Sequence, residues 1–462
     1  MKTGERLLVF LSGEHVADVS RARTGAVSLE YTSTGRAAGA TPLSLALPVS
    51  PARYTDRRVT HFLDGLLPEH PGTRAAMARH FQIGTTDAFS LLHGAGLDCA
   101  GAVQFCTEDA ADAIRRGGSL EPESDSDIEV RLAEMEMDDA VSWVKRHERW
   151  SLAGMQPKLA LREEDGRWFT ATGSEATTHI LKPGVRGIAA QALDEHITLA
   201  AAARIGLDCA ESRWLEFKSQ SAVVSTRYDR ARHDGTVRRL HQEDLHQAIG
   251  MGRNKYDVDD SREGVTSTDV LAVLRGYSIS RDDEDASVRA FVDSLIFSAL
   301  TASTDGHAKN YSLLLERERV RLAPLYDMAS DLPYDTGPGK LALGIGGERS
   351  LSKIGSDHWE ALGREAGLSG EYVVDRVHQM ADALPQAFAE AFADVGREAQ
   401  QLRDRTMPRL AEHLDAAKQR ATRARGLHTA SSIGQATRPD TVWVSEHMRN
   451  GRVVAAHLRR RR

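Results

Sequence analysis

Only three cysteines, Cys99, Cys106 and Cys209, occur in 462 residues, and no two of them form a CxxC pair. The odd, unpaired set excludes a disulfide framework and fits a reducing compartment, so a cytoplasmic protein is expected. Proline is also scarce, 14 residues, while 41% of the chain is hydrophobic and 27% charged. That balance excludes a disordered or fibrous chain. No stretch approaches the roughly 20 apolar residues of a membrane helix. The opening run MKTGERLLVFLSGEHVADVS turns polar early and lacks a small-residue cleavage site, so neither secretion nor a membrane span is expected. The histidines show no HExxH or comparable metal-ligand spacing.

What is present is length enough for two or three hydrophobic cores and an uneven charge. The net charge is −7, yet residues 418–462 hold eleven Lys and Arg against Asp440 and Glu446, a net of +9, which leaves −16 for residues 1–417. A basic tail follows an acidic body. The tail reads as a solvated end or as a nucleic-acid contact, and Asn450-Gly451 between two strand-like runs is a hairpin signal.

Periodicity divides the chain. Residues 1–107 open with three strand-like runs, RLLVFLSG, HVADVSR and AVSLEYTS, then helical spacing from about Thr73 and in DAFSLLHGA, and close with GLDCAGAVQF as an edge strand. Residues 108–128, rich in acid, Gly and Ser, read as a linker. Residues 129–239 read as a β-rich lobe with strands at KLALREE, RWFTAT, HILKP, ESRWLEFKS and SAVVSTRYDR around one helix, LDEHITLAAAARIG. Residues 240–417 read as helices interrupted by one hairpin, YSLLLE and RVRLAPL, and residues 418–462 as the tail.

That hairpin carries the most informative chemistry. A hairpin sets the start of its first strand beside the end of its second, so Asn310 and Asp327 meet at the open end, with Asp305 a few residues upstream. A base, an Asn five residues on and an Asp after a hairpin are the phosphoryl-transfer arrangement, with Mg2+ held by the Asn and the second Asp. Asp305 and Asn310 also fit plain turn formers. Lys182 ends an apolar strand and Glu195 lies thirteen residues on, near the start of a helix. Such a pair positions a cation on nucleotide phosphates, or is an ordinary surface ion pair. In SLAGMQPKLAL, residues Ala153, Gly154, Met155, Gln156, Pro157 and Lys158 offer a small-residue loop ending in a cation, a phosphate contact or simply a turn. His307 and Lys309 complete the 305–310 segment.

Taken in order, SLAGMQPKLAL, THILKP, DEHITLAAAARIGLD, STRYDR, QEDLHQAIG, STDGHAKNYSLLL and APLYDMAS, with LDGLLPEHPGTR before them, resemble the HipA-type serine/threonine kinases, toxins of bacterial toxin–antitoxin modules. The resemblance runs from about residue 5 to about 415 and leaves the tail outside. It implies an α+β, bilobal protein-kinase-like fold, with a β-rich N-lobe and a helical C-lobe, preceded by a small α+β N-terminal domain. It also implies ATP and Mg2+ as cofactors, phosphorylation of a protein serine, and growth inhibition. The implied substrates are aminoacyl-tRNA synthetases. The implied partner is a small helix-turn-helix antitoxin of HipB type that contacts DNA, with no membrane partner.

By position, the resemblance makes Asp305 the catalytic base and Asn310 and Asp327 the metal ligands. Lys182, His307 and Lys309 face the phosphates, the loop Ala153 to Lys158 covers them, and Thr226, Arg227 and Tyr228 line the adenine hinge. Ser151 matches a serine that the family autophosphorylates, after which its loop can leave the nucleotide site. Two other readings stay open: a small-molecule kinase of the same fold, and a silent subunit that holds an antitoxin on DNA.

Overall fold

A computed structural model describes residues 5–138, 144, 147–252, 264–277, 280–317, 319–334 and 339–422, with the backbone of four short strands between 441 and 460. The chain forms two compact units. Unit one comprises Met1–Ala192, Glu211–Arg253 and Leu313–Arg319; unit two comprises Leu193–Ala210, Asn254–Ser312 and Val320–Arg462.

In unit one the three opening strands form as expected, Glu5–Leu11, Glu14–Arg21 and Val27–Tyr31, joined by Val103–Cys106 at the free side of the first strand. Neighbouring strands are antiparallel, with Val9 set between Ala17 and Phe105. The first strand lacks strict alternation because both of its faces are covered. Leu7, Val9 and Leu11 fill the main core, while Leu8 and Phe10 pack with Cys106 on the other side. The stretch expected as one edge strand breaks in two, Asp98–Cys99 and Val103–Cys106. At the break Gly101 has φ +76°, and a Cβ there would lie 2.8 Å from the Gln242 main chain, so only glycine fits.

The linker expectation for residues 108–128 is corrected. These residues hold a helix, Ala111–Arg116, a strand, Ser119–Glu123, and the start of the helix Asp125–Met137, which Ser124 and Asp127 cap reciprocally. The strand pairs with Arg167–Thr172 at the edge of a six-stranded sheet. An edge strand needs only main-chain partners, so a polar sequence can form it, and its composition resembles that of a linker.

The rest of that sheet is the expected β-rich lobe, every pairing antiparallel: Ser212–Phe217, Gln220–Thr226, His179–Lys182, Leu159–Glu164, Arg167–Thr172 and Ser119–Glu123, in spatial order. Leu181, fully buried in an inner strand, is flanked by Leu159 and Val224.

Unit one also buries charge. The Asp98 carboxylate accepts from Arg230 and Arg239, both at 2.9 Å, and from the Thr177 N–H at 3.0 Å and hydroxyl at 2.7 Å. Arg227 approaches it at 3.4 Å and spans Asp229 with bonds of 3.0 and 2.8 Å. Burial alone would raise the Asp98 carboxyl, but Arg230, Arg239 and Arg227 hold it well below the usual carboxylate range.

A second buried acid, Glu243, behaves oppositely. Burial pushes its carboxyl up to about 8, against the opposing bonds from Ser44 and the Leu45 N–H. Its stabilising effect is therefore complete below the unfolded carboxyl value near 4.5 and is lost as pH rises through about 8. Glu243→Gln keeps an acceptor for the Leu45 N–H without the charge. Its Tm is expected to exceed that of the wild type by several degrees at pH 8 and to match it at pH 4. Equal melting at both values would show that Glu243 is not held neutral.

Unit two is mainly helical: Ser267–Tyr277, Arg281–Thr301, Ser356–Ala366, Gly370–Val395 and Gln400–Thr422. The helix Arg281–Thr301 starts at Ser280, whose hydroxyl accepts from the Asp283 N–H, and buries Val288, Phe291, Val292, Leu295 and Ile296. It stops where Ala302 turns left-handed, φ +51°. In the tail, His447–Arg449 pairs with Arg452–Val454 around Asn450-Gly451, and Thr441–Val444 pairs with His457–Arg460 outside it. The turn signal itself, Asn450-Gly451, lies outside the described residues, as do residues 423–440. Among the described residues, no helix is long and apolar enough to cross a membrane.

Candidate active site

The helix stop at Ala302 releases the chain into Ser303-Thr304-Asp305-Gly306-His307, ahead of a short turn, Ala308–Asn310. The Asp305 carbonyl accepts from the His307 N–H at 2.7 Å and from Asn310 Nδ2 at 2.9 Å. This fixes the backbone of the loop and commits the Asn310 amide nitrogen, leaving Oδ1 as the acceptor of that side chain. The Asp305 side chain is 89% exposed, with His307 Nε2 3.9 Å from its carboxylate. Lys309 is buried.

After the turn come the strands Ser312–Glu316 and Arg319–Leu322. Their open end closes through the Ala323 N–H donating to the Ser312 carbonyl at 2.8 Å. The Tyr326 hydroxyl, 2.8 Å from Ser312 Oγ, donates to the Lys309 carbonyl at 2.9 Å. Asp327 follows with φ +55°, a left-handed conformation that Asp adopts more readily than most side chains. Asp305, Asn310 and Asp327 therefore line one small, open cleft, with Gly306, Tyr311, Tyr326 and Met328. The expected convergence at the hairpin end is met.

Among the described residues no group of three His, Cys, Asp or Glu could hold a metal by itself. Of the groups lining the cleft, the Asp327 carboxylate and the Asn310 amide oxygen form a donor set that suits a hard cation completing its shell with water and phosphate oxygens. Mg2+ fits these residues in that way.

The other predicted residues lie in unit one, except Glu195, which lies in unit two. Lys182 ends the inner strand His179–Lys182, opposite Val223. The loop Ala153 to Lys158 folds back on itself, with Lys158 Nζ donating to the Ala153 carbonyl at 2.6 Å. Gly154 has φ +109°, and a Cβ there would sit 2.4 Å from that Nζ, so the closed loop requires glycine. Its carbonyl accepts from the Glu69 N–H, Gln156 reaches Gln191 at 3.3 Å, and Met155 stands exposed. Pro157 is buried. Ser151 is 1% exposed, and its hydroxyl donates to the Leu66 carbonyl at 2.7 Å. Its strand, Trp150–Ser151, runs parallel to Asp98–Cys99, so the hydroxyl is inaccessible in this conformation.

The hinge expectation is corrected at Arg227. Its guanidinium is enclosed by Asp98, Asp229, Thr177 and the Cys99 carbonyl, and its N–H donates to the Thr178 carbonyl. Neither its side chain nor its N–H is therefore placed to meet a nucleotide. The Thr226 N–H is likewise taken, by the Glu211 carbonyl, and its hydroxyl lies 3.3 Å from His179 Nε2. The Tyr228 hydroxyl donates to Gln242 at 2.7 Å.

Sequence reasoning missed the residues that brace the cleft. Asp194 accepts from the Ser330 N–H at 2.8 Å, and the Thr304 hydroxyl donates to the Asp331 carboxylate. Their proximity to Glu195, Asp305 and Asp327 in the chain was the only signal.

Comparison with known proteins identifies the family. The family described as HipA-like C-terminal domain matches residues 150–388, and the HipA N-terminal domain matches residues 7–106. Protein Y4mE of Sinorhizobium fredii, whose name carries a provisional kinase assignment, is 31% identical over 395 residues, covering 84% of this chain and 92% of the relative. The serine/threonine-protein kinase toxin HipA of Shewanella oneidensis is 27% identical over 403 residues, 84% of this chain and 88% of that protein. The solved complex of Shewanella oneidensis HipA with HipB and its operator DNA contains a chain that superimposes with a TM-score of 0.78 at 24% identity, over 92% of this chain and all of that one. The expected kinase-like α+β fold stands.

Proposed function

The chain belongs to the HipA family of kinase toxins, and from that premise we propose that it is an ATP- and Mg2+-dependent serine/threonine protein kinase acting as the toxin of a toxin–antitoxin module. The observation that carries this reading is the convergence of Asp305, Asn310 and Asp327 on one cleft. In this reading Asp305 takes the proton of an acceptor serine as its oxygen bonds to the γ-phosphorus, while the bond to the bridging oxygen breaks and ADP leaves with the electron pair. Asn310 and Asp327 hold Mg2+, which when bound neutralises phosphate charge. Lys182, Lys158, His307 and Lys309 meet the phosphates, and a Lys182–Glu195 pair keeps the first of these in place. The main chain near Thr226 and Tyr228 receives the adenine. Segments 1–107 and 129–239 act as the family N-terminal domain and the N-lobe, and 240–417 as the C-lobe.

The acceptor is a protein serine, with an aminoacyl-tRNA synthetase as first candidate. The partner is a HipB-type helix-turn-helix antitoxin, through which DNA is reached; the basic tail offers a second DNA contact. Incubation with labelled ATP, Mg2+ and a host lysate, followed by identification of the labelled proteins, tests the reading. Absence of any labelled protein in the presence of active ATP would sink it.

Ser151 is the expected self-inactivation site. A phosphate there adds about −1.5 to −2 charge and cannot stay where the hydroxyl now donates to the Leu66 carbonyl. The strand must then leave, and ATP affinity falls. Mass spectrometry should find phosphate on Ser151 in the wild type and none in Asp305→Asn. The reverse pattern contradicts self-modification.

A further inference from the structure

Below the cleft, polar groups of unit two form one connected set. Asp194, fully buried in the helix Gln191–Arg204, accepts from the Ser330 N–H at 2.8 Å. Ser330 Oγ donates to the Thr301 carbonyl at 2.6 Å, and the Asp331 N–H donates to the Ala302 carbonyl at 3.1 Å. The Thr304 hydroxyl closes the set on the Asp331 carboxylate. Arg409 braces the same stretch from behind, donating to the Leu332 and Tyr334 carbonyls, both at 3.0 Å. Ser330 and Asp331 stand three and four residues after Asp327, and Thr304 immediately precedes Asp305.

We propose that Asp194 is a positioning residue for phosphoryl transfer: through Ser330 and Asp331 it holds the Asp327 segment in register with the Thr304–Asp305 segment, so that metal ligand and base keep one spacing. The inference rests on the kinase reading above. Filling buried space does not call for a carboxyl, since an apolar side chain of similar volume is often as stabilising or more so. A carboxyl here is explained by the N–H it orients. Burial pushes the Asp194 carboxyl well up, the Ser330 N–H opposes this, and the nearby Asp331 and Glu195 charges add to it, so the surroundings favour the uncharged form. An amide is then a faithful substitute, which separates the oxygen's role from that of charge.

Purified full-length wild type, Asp194→Asn, Asp194→Ala, Thr304→Val and Asp305→Asn are compared for label transfer from ATP to the protein itself and to dephosphorylated casein, and for affinity toward a fluorescent ATP analogue. A misplacement near 1 Å costs about 100-fold in rate, so Asp194→Ala and Thr304→Val should lose about 10- to 100-fold in transfer, while analogue affinity stays within about twofold. Asp194→Asn should remain within about threefold of wild type. Full transfer by folded Asp194→Ala or Thr304→Val overturns the proposal, as does Asp194→Asn being as slow as Asp194→Ala. If Asp194→Ala does not fold, the near-isosteric Thr304→Val decides. Wild type that labels nothing, or Asp305→Asn at the wild-type rate, would instead overturn the kinase reading itself. Inactive Asp305→Asn beside fully active Thr304→Val removes only the positioning role.

Discussion

Asp305→Asn and Asp327→Asn should each abolish phosphoryl transfer while leaving the fold intact. Losing a general base costs about 10²- to 10⁴-fold, and losing a carboxylate that holds the metal costs several kcal/mol of transition-state stabilisation, at least as large a drop in rate. Stability should barely change at Asp305, whose side chain is 89% exposed and so belongs with surface sites that move folding by about 0.5 kcal/mol or less. At Asp327 the choice of asparagine matters, because φ is +55° there and Asn tolerates that conformation as Asp does. A loss of activity in Asp327→Asn is then a loss of charge and not of backbone shape. Growth inhibition should disappear with the activity. Either variant phosphorylating at near the wild-type rate would remove its residue from the assigned role.

Asp98→Ala should be the most destabilising single change in unit one. It leaves Arg230, Arg239 and Arg227 beside one another with a single remaining buried carboxylate, Asp229. Removing one partner of a buried charge set typically costs about 3–5 kcal/mol, a large part of the total stability of a domain. The pH dependence has a definite sign. The folded carboxyl of Asp98 lies below its unfolded value, so its contribution is present above the unfolded value and is lost as pH falls through the folded one. Urea denaturation at pH 7 should show the full difference between wild type and Asp98→Ala. The two curves should converge toward strongly acidic pH. A difference below about 1 kcal/mol at pH 7 would mean that the network is solvated and weak, as exposed pairs are.

The residues proposed for the chemistry were legible because their signal is local. Asp305, Asn310 and Asp327 are separated by one short hairpin, and a hairpin's ends meet whatever the rest of the chain does. The same holds for the short opening strands bounded by Gly, Thr and Ser and for the helices of unit two. Local pattern misled where pairing is made by the backbone alone. Ser119–Glu123 lies in a polar segment that reads as a linker, yet it completes a sheet edge.

Composition and motif order by themselves determined the fold class, the family resemblance and the three residues at the cleft, because each depends on residues close in the chain or on their sequence. Only the tertiary structure decided which charges are structural. Asp98 and Arg227 are 129 positions apart, as are Asp194 and Ser330 by 136, and no periodicity links such pairs. Arg227 reads as a nucleotide contact beside its neighbours Thr226 and Tyr228, and becomes a core ion because Asp98, from the distant strand Asp98–Cys99, meets it in the interior. Ser151 reads as a modifiable hydroxyl, and is closed off because the Leu66 carbonyl accepts from it. Burial and long-range pairing set the cost of a charge or a hydroxyl, and both arise only when distant segments are packed together.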